Sequence, residues 1–125
     1  MHDFRRLQVW AKARELAVAV DELTRGFPRI DRGVVGGQLR RSALSIPSNI
    51  AEGCGKSSRK ETVRFLQFAA GSAKETENHL LIAGDLGYIT PTDREKHLGT
   101  LGSIQRMLVA LMKKLSTAEH AVENH

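Results

Sequence analysis

Apolar side chains recur every three or four residues along most of this chain, which is the spacing of helices that bury one face. The pattern predicts four helices, over residues 4–25, 35–52, 59–86 and from 91 onward. It is lost after about Ser116, where we expect the end of the chain to fray. Four helices with short connections predict an all-α fold, an antiparallel up-down-up-down four-helix bundle that forms a single domain over residues 1–125.

Local signals mark the ends of these helices. Pro28 cannot continue the first helix, and Gly53-Cys54-Gly55 ends the second. Ser58 and Glu61 form a capping box at the start of the third helix. Thr90 before Pro91 predicts the N-cap and first residue of the fourth.

The second helix carries two opposed stripes. Its apolar stripe consists of Leu39, Ala43, Ile46 and Ile50, and its polar stripe of Arg41, Ser45, Ser48 and Glu52. Serine weakens a helix that only meets water, so we expect something to pack against the polar side. Pro47 frees backbone groups in the helix interior, which Ser45, Ser48 or Asn49 should satisfy. We therefore assign Arg41, Ser45, Ser48, Asn49 and Glu52 to structure or assembly.

The third helix is apolar over more of its circumference than a small bundle can cover. The remaining apolar surface predicts contact with another subunit. Gly71-Ser72-Ala73 leaves room for a second backbone to approach closely, and Ala70, Gly71 and Ser72 are the residues we assign to assembly. These features predict an obligate homo-oligomer.

Composition limits the range of functions. Hydrophobic residues make up 41% of the 125 positions and aromatic residues 5%, which suits one helical core built from Leu, Ile, Val and Ala. The single cysteine, Cys54, cannot form an internal disulfide and fits a reducing compartment. No apolar run approaches the length of a membrane span. We expect a soluble cytoplasmic protein with no membrane partner.

Positive charge is concentrated in one part of the sequence. The net charge is +5, and residues 25–64 hold nine basic against three acidic side chains. This excess predicts binding to a phosphate backbone, for which the candidate contacts are Arg40, Lys56, Arg59, Lys60 and Arg64. Phe65 and Phe68 fall on the apolar side of the third helix, so we expect no base stacking and binding with little sequence preference. A solvated basic surface is the alternative.

The sequence contains no convincing catalytic or metal-binding set. Gly55-Lys56-Ser57 resembles the end of a P-loop, but Ile50 stands where the motif needs a glycine. Glu75, Glu77 and His79 lack the spacing and the second copy of a di-iron bundle. Cys54 has no neighbouring base in sequence to activate it. We predict a protein that is not an enzyme and binds no cofactor and no metal.

Several segments together resemble a known family. They are Phe4-x-x-Leu7-x-Val9-Trp10-x-x-Ala13, Phe27-Pro28, Gln38-Leu-Arg-Arg41, Ser45-Ile-Pro-Ser-Asn-Ile-Ala-Glu-Gly53, Arg64-Phe-Leu66, Ala70-Gly-Ser72 and Leu86-Gly-Tyr-Ile89. Over about residues 4 to 115 the chain is similar to the bacterial four-helix bundle proteins encoded in intervening sequences of 23S ribosomal RNA genes. That family is in turn similar to the accessory variability determinant of diversity-generating retroelements.

The resemblance implies a protomer of four helices assembled as a homopentameric barrel. For the retroelement relative it also implies that a basic surface binds nucleic acid and a reverse transcriptase. The chain departs from the family where an acidic residue usually precedes Tyr-Gly-Leu, because it has Asp31 followed by Gly33-Val34-Val35. Two functions remain open: non-specific nucleic-acid binding by an oligomer, and a ring-shaped scaffold for another protein.

Overall fold

The computed structural model describes residues 3–123, with side-chain surroundings for residues 3–117. It contains four α-helices: α1 (Gln8–Thr24), α2 (Val35–Cys54), α3 (Arg59–Asp85) and α4 (Pro91–Glu123). Short 3-10 helices precede α1 (Phe4–Arg6) and α2 (Arg29–Asp31). Residues 3–123 contain no strand, so the predicted all-α class with four helices is confirmed.

The predicted helix starts agree with the capping contacts. Ser58 Oγ accepts a hydrogen bond from the Glu61 amide at 3.1 Å, and Thr90 Oγ1 accepts one from the Asp93 amide at 3.1 Å. Both contacts satisfy amide groups that have no partner inside the helix. The turn before α4 contains Gly87, whose φ of +76° favours glycine.

Some helix ends differ from the predicted ones. Leu7 is extended and separates the 3-10 turn Phe4–Arg6 from α1, so the first α-helix begins at Gln8. Helix α2 continues through Gly53 to Cys54. Helix α4 reaches Glu123, past the predicted limit near Ser116, in a stretch where alanine and glutamate favour helix.

Contacts between the helices show that successive helices are antiparallel neighbours. The end of each helix meets the start of the next: Thr24 contacts Arg40, the Gly53 carbonyl contacts Thr62, and Gly84 lies against Arg94. Helix α4 also packs against α1 and closes the four-helix arrangement. The predicted apolar stripe of α2 lies in the core: Leu39, Ala43, Ile46 and Ile50 have no exposed surface.

A line of hydroxyl groups joins α2 to α3. The hydroxyls of Ser45 and Ser72 lie 2.8 Å apart, and Thr76 Oγ1 donates to Ser42 Oγ at 3.0 Å. Asn49 Nδ2 donates to the Ser45 carbonyl at 2.9 Å and to its hydroxyl at 3.0 Å. We call Ser42, Ser45, Ser72 and Thr76 the hydroxyl seam. Small side chains let the two helices approach closely, and the hydroxyls satisfy each other where water is excluded.

An aromatic contact closes the end of the bundle where α1 connects to α2 and α3 connects to α4. Tyr88, in the turn between α3 and α4, lies against Phe27 with ring centroids 5.3 Å apart. Its hydroxyl donates a hydrogen bond to the Asp31 carboxylate. Asp31, the acidic residue before α2, therefore makes a contact within the chain. Val34, where the sequence departs from the family pattern, is 57% exposed.

Candidate nucleic-acid interface

The turn between α2 and α3 places four cations close together. Lys56 lies in the turn, Arg59 and Lys60 open α3, and Arg64 follows one turn later. Arg59, Lys60 and Arg64 are exposed, and Lys56 is half-buried. We call these four residues the basic cluster. Residues 50–74 hold two acidic side chains, Glu52 and Glu61, so the cluster of four cations keeps a net positive charge.

Gly53 fixes the position of this cluster. Helix α3 crosses α2 so closely there that a Cβ on Gly53 would lie 3.0 Å from Phe65 Cβ and 3.2 Å from the Thr62 carbonyl oxygen. Thr62 Oγ1 donates to the Gly53 carbonyl at 2.9 Å across the same crossing. The first turn of α3, which carries the cations, is therefore held directly on the end of α2.

Two of the cations lie over aromatic rings. Lys56 Nζ is 4.8 Å from the centroid of Phe65, and Arg64 Cζ is 5.4 Å from that of Phe68. The two rings meet edge to face, with centroids 5.3 Å apart. Arg64 also faces Glu61 at 3.6 Å, a solvent-exposed pair of little energetic weight.

The prediction that no aromatic side chain reaches the basic surface was wrong. Phe68 is 45% exposed, and Phe65 is half-buried. Helix α3 packs mainly against α2 and α4, and Phe68 lies on the part of its circumference that neither helix covers. The sequence showed an excess of apolar positions, but not which of them would stay uncovered.

Helix α4 contributes to the same end of the molecule. A groove of about 350 Å³ between α3 and α4 is lined by Lys60, Glu61, Val63, Arg64, Gln67 and Ser116. Lys113 and Lys114 are exposed within the turn before Ser116. Sequence reasoning missed these two lysines. The antiparallel topology, which brings the end of α4 beside the start of α3, was the signal that could have identified them.

Arg40 is separated from the basic cluster. Its guanidinium donates to Thr24 Oγ1 at 3.1 Å and to the Arg32 carbonyl at 3.4 Å, which ties α2 to the end of α1 and to the following loop. Helix α2 is about 30 Å long, and Arg40 lies near its start whereas Lys56 follows its end. Arg40 is thus a structural link in this protomer rather than a member of the cluster.

The basic stretch seen in the sequence is therefore divided between two ends of the bundle. Arg25, Arg29 and Arg32 lie at the α1–α2 connection, far from Lys56. That end also holds Arg40, Arg41, Arg94 and Lys96, and six acidic side chains nearly balance these seven cations: Asp21, Glu22, Asp31, Asp85, Asp93 and Glu95. Asp21, for example, pairs with Arg25 at 2.8 Å. The larger excess of positive charge lies at the α2–α3 end.

The residues assigned to assembly divide into two groups. Ser45, Asn49 and Ser72 are half-buried in or beside the hydroxyl seam, so α3 of the same chain is what packs against Ser45. Arg41, Ser48, Glu52 and Gly71 are exposed, and Ala70 is half-buried. Ser48 Oγ donates to the Leu44 carbonyl at 3.0 Å and Asn49 to that of Ser45, so neither side chain satisfies the Ala43 carbonyl that Pro47 leaves without a helical donor, contrary to the prediction. A Cβ on Gly71 would meet no atom within 4 Å.

Large apolar side chains remain exposed on two faces. On α3, Ile82 is 40% exposed on the same side of the helix as Phe68 but about four turns further on, and the C-cap Leu86 is 50% exposed. Between α1 and α2, a groove of about 570 Å³ is lined by Val18, Leu44, Arg41 and their neighbours. The helices of one protomer leave both of these apolar surfaces uncovered.

The candidate reactive groups are occupied or unsuited to catalysis. Cys54 is buried, and burial raises the pKa of its thiol, which disfavours the reactive thiolate. Glu77 accepts hydrogen bonds from Gln105 at 3.1 Å and Lys74 at 3.3 Å, which lower the pKa of its carboxyl group. Among the described residues, no three His, Cys, Asp or Glu side chains are grouped so that they could hold a metal ion. No helix in the described chain has the length and apolar character of a membrane span.

Comparison with known proteins gives a consistent assignment. The family model described as 23S rRNA-intervening sequence protein matches residues 5–110. A crystal structure of a protein with unknown function from the S23 ribosomal protein family of Bacteroides thetaiotaomicron is similar, with a TM-score of 0.79 and 29% sequence identity. The similarity covers 84% of this chain and 98% of that one. A comparison with curated proteins gave no match. With four helices arranged as the sequence motifs implied, and a family model that spans most of them, the chain belongs to the 23S rRNA-intervening sequence protein family.

Proposed function

We propose that this protein binds nucleic acid through the basic cluster, as a non-enzymatic homo-oligomer. The observation that carries the proposal is the concentration of Lys56, Arg59, Lys60 and Arg64 within the turn and the first two turns of α3. Three of these side chains are exposed, and the acidic neighbour Glu61 pairs with Arg64 alone. Exposed cations at this density suit successive phosphates of a nucleic-acid backbone.

The contacts available to the cluster explain what kind of binding to expect. Lysine and arginine side chains that meet phosphates release counterions, so affinity falls as salt rises. Each contact contributes a slope of roughly −0.9 in log K against log salt for duplex DNA and roughly −0.7 for a single strand. Phosphates are the same at every position, so the cluster discriminates poorly between sequences.

Oligomerisation is part of the proposal. Ile82 and Leu86 on the outer face of α3, together with the groove beside Leu44, leave more apolar surface exposed than a lone bundle needs. The family resemblance favours a pentamer. Several copies of the basic cluster in one assembly would bind a long strand more tightly than a single copy.

The test compares two variants that lose the same charge at opposite ends of the bundle. The triple change Arg59→Ala, Lys60→Ala, Arg64→Ala should weaken binding to unrelated sequences equally. It should also flatten the salt slope by roughly 2 for a single strand and nearly 3 for duplex DNA. The control variant, Arg25→Ala, Arg29→Ala, Lys96→Ala, should change the affinity and the salt slope much less. Fluorescence anisotropy over a salt series measures both quantities, and equal losses in the two variants would contradict a localised site.

A ring-shaped scaffold for another protein is the second candidate, and one observation favours it. The groove between α1 and α2 combines the exposed apolar side chains Val18 and Leu44 with Arg41, a mixture suited to a protein partner. A wild-type protein that binds neither DNA nor RNA at low salt would favour the scaffold over the nucleic-acid proposal.

A further inference from the structure

The basic cluster and its two phenylalanines form one continuous surface. Lys56 lies over Phe65, Phe65 contacts Phe68 edge to face, and Arg64 lies over Phe68. No step in this series exceeds 5.4 Å. Two adjoining rings therefore lie between two cations: Lys56 is in the turn before α3, and the other three residues are in the first turns of that helix. We call Lys56, Arg64, Phe65 and Phe68 the cation–aromatic strip.

We infer that this strip binds single-stranded nucleic acid, with an unpaired base stacked on Phe68 and the adjoining phosphates bound by Arg64 and Lys56. The inference rests on the proposed function and deepens it by naming the class of ligand. A base in a duplex is stacked on its neighbours and cannot offer its face to a side chain. An unpaired base can, and sites for single strands combine cationic and aromatic side chains in this way.

The two rings have different parts in this site. Phe65 is half-buried where α3 crosses Gly53, so its position is fixed by the packing of α2 against α3. Phe68 is 45% exposed and offers ring surface to a ligand. A rigid ring supporting an exposed one is a preformed platform, which loses little conformational freedom when a base binds.

Arg64 is available to bind a phosphate of the ligand. Its ion pair with Glu61 is 3.6 Å long and solvent-exposed, so exchanging that carboxylate for a phosphate costs little. The planar guanidinium can stay stacked on Phe68 or turn outward to the backbone, and either position brings a cation beside a stacked base. Lys60, one turn before Arg64, extends the positive surface along the groove toward α4.

The test separates stacking from charge by using three probes. They are an oligothymidine strand, an abasic strand with the same number of phosphates, and a duplex of equal charge. Wild-type protein should bind oligothymidine at least about 5-fold more tightly than the abasic strand, the lower limit for stacking of one base. Phe68→Leu keeps an apolar side chain but removes the aromatic ring. It should reduce oligothymidine binding to the abasic level and leave the other two probes unchanged.

Two further variants keep the result interpretable. Ile30→Leu alters an exposed apolar residue at the opposite end of the bundle and should bind all three probes like the wild type. Phe68→Trp in a Trp10→Phe background places the sole tryptophan in the strip, and oligothymidine should quench its fluorescence while the abasic strand should not. Light scattering on each variant confirms that assembly is unchanged.

Each outcome decides between the proposals. Unchanged oligothymidine binding by Phe68→Leu, or an equal loss for all three probes, would overturn the stacking inference while leaving electrostatic binding intact. If only the triple variant Arg59→Ala, Lys60→Ala, Arg64→Ala lost binding and Phe68→Leu kept it, the stacking inference would also be overturned. A wild-type protein that binds none of the three probes would refute the proposed function itself.

Discussion

Replacing Gly53 with alanine should destabilise the protein, although alanine is the better helix former. The new methyl group would lie 3.0 Å from Phe65 Cβ and 3.2 Å from the Thr62 carbonyl oxygen, closer than ordinary van der Waals contact. The hydrogen bond from Thr62 Oγ1 to the Gly53 carbonyl, at 2.9 Å, resists separation of the two helices. Overpacking of this kind costs about 1–3 kcal/mol, against a helix-propensity gain of at most about 1 kcal/mol.

Gly99→Ala is the matched control. Gly99 lies inside α4, is exposed, and has no atom within 4 Å of its Cβ position, so the same substitution should only add helix propensity there. The difference in unfolding free energy between the two variants isolates the packing cost and should be about 1–3 kcal/mol. For a domain of this size that corresponds to roughly 3–6 °C in Tm per kcal/mol.

Thermal unfolding followed by circular dichroism measures this difference. The protomer concentration must be equal in all samples, because assembly makes Tm depend on concentration. Gly53→Ala should melt below wild type or close to it, and clearly below Gly99→Ala. If Gly53→Ala melted at or above Gly99→Ala, the close crossing of α2 and α3 would not limit stability, and the reasoning would be refuted.

Three other predictions test separate parts of the structure. Ser45→Ala should cost about 1 kcal/mol of unfolding free energy because Ser72 loses its partner in the hydroxyl seam, whereas Ser48→Ala should change it by no more than about 0.5 kcal/mol in the same urea titration. Burial lowers the pKa of His97, so the unfolded chain binds a proton at this residue more readily than the folded chain does. The unfolding free energy should therefore fall as pH drops below about 6.5, by up to about 1.4 kcal/mol per pH unit. His97→Gln should remove this part of the pH dependence. Gly71→Ala should lower the assembled mass in light scattering if Gly71 contacts a second subunit; an unchanged mass with a higher Tm would count against that contact.

Much of the bundle follows from local chemistry. The hydroxyls of Ser58 and Thr90 cap α3 and α4 where predicted, because an N-cap depends only on residues three positions apart. The apolar stripe through Leu39 and Ile50 lies in the core because burial removes its apolar surface from water. Ends without a strong cap were less predictable, and α2 and α4 both extend beyond their expected limits.

The candidate site was predictable only in part. Arg59, Lys60 and Arg64 are neighbours on one helix, so their proximity follows from sequence spacing. Arg40 is near Lys56 in sequence, but about 24 Å of helix separates them. The Arg40 guanidinium donates instead to Thr24 and the Arg32 carbonyl. Lys113 and Lys114 join the same end from distant sequence because α4 is antiparallel to α3.

The sequence by itself therefore determined the four helices, their buried faces and the family, since each depends on periodicity and on residues close along the chain. Only the tertiary structure decided which charges share a surface and which apolar side chains stay uncovered. Charge concentrated in residues 25–64 was divided between two ends, and acidic residues of α1, α3 and α4 offset most of it at one of them. Phe68 became part of a surface because α2 and α4 cover other sides of α3. Both outcomes depend on how the helices pack, which sets distances between residues that are far apart in sequence.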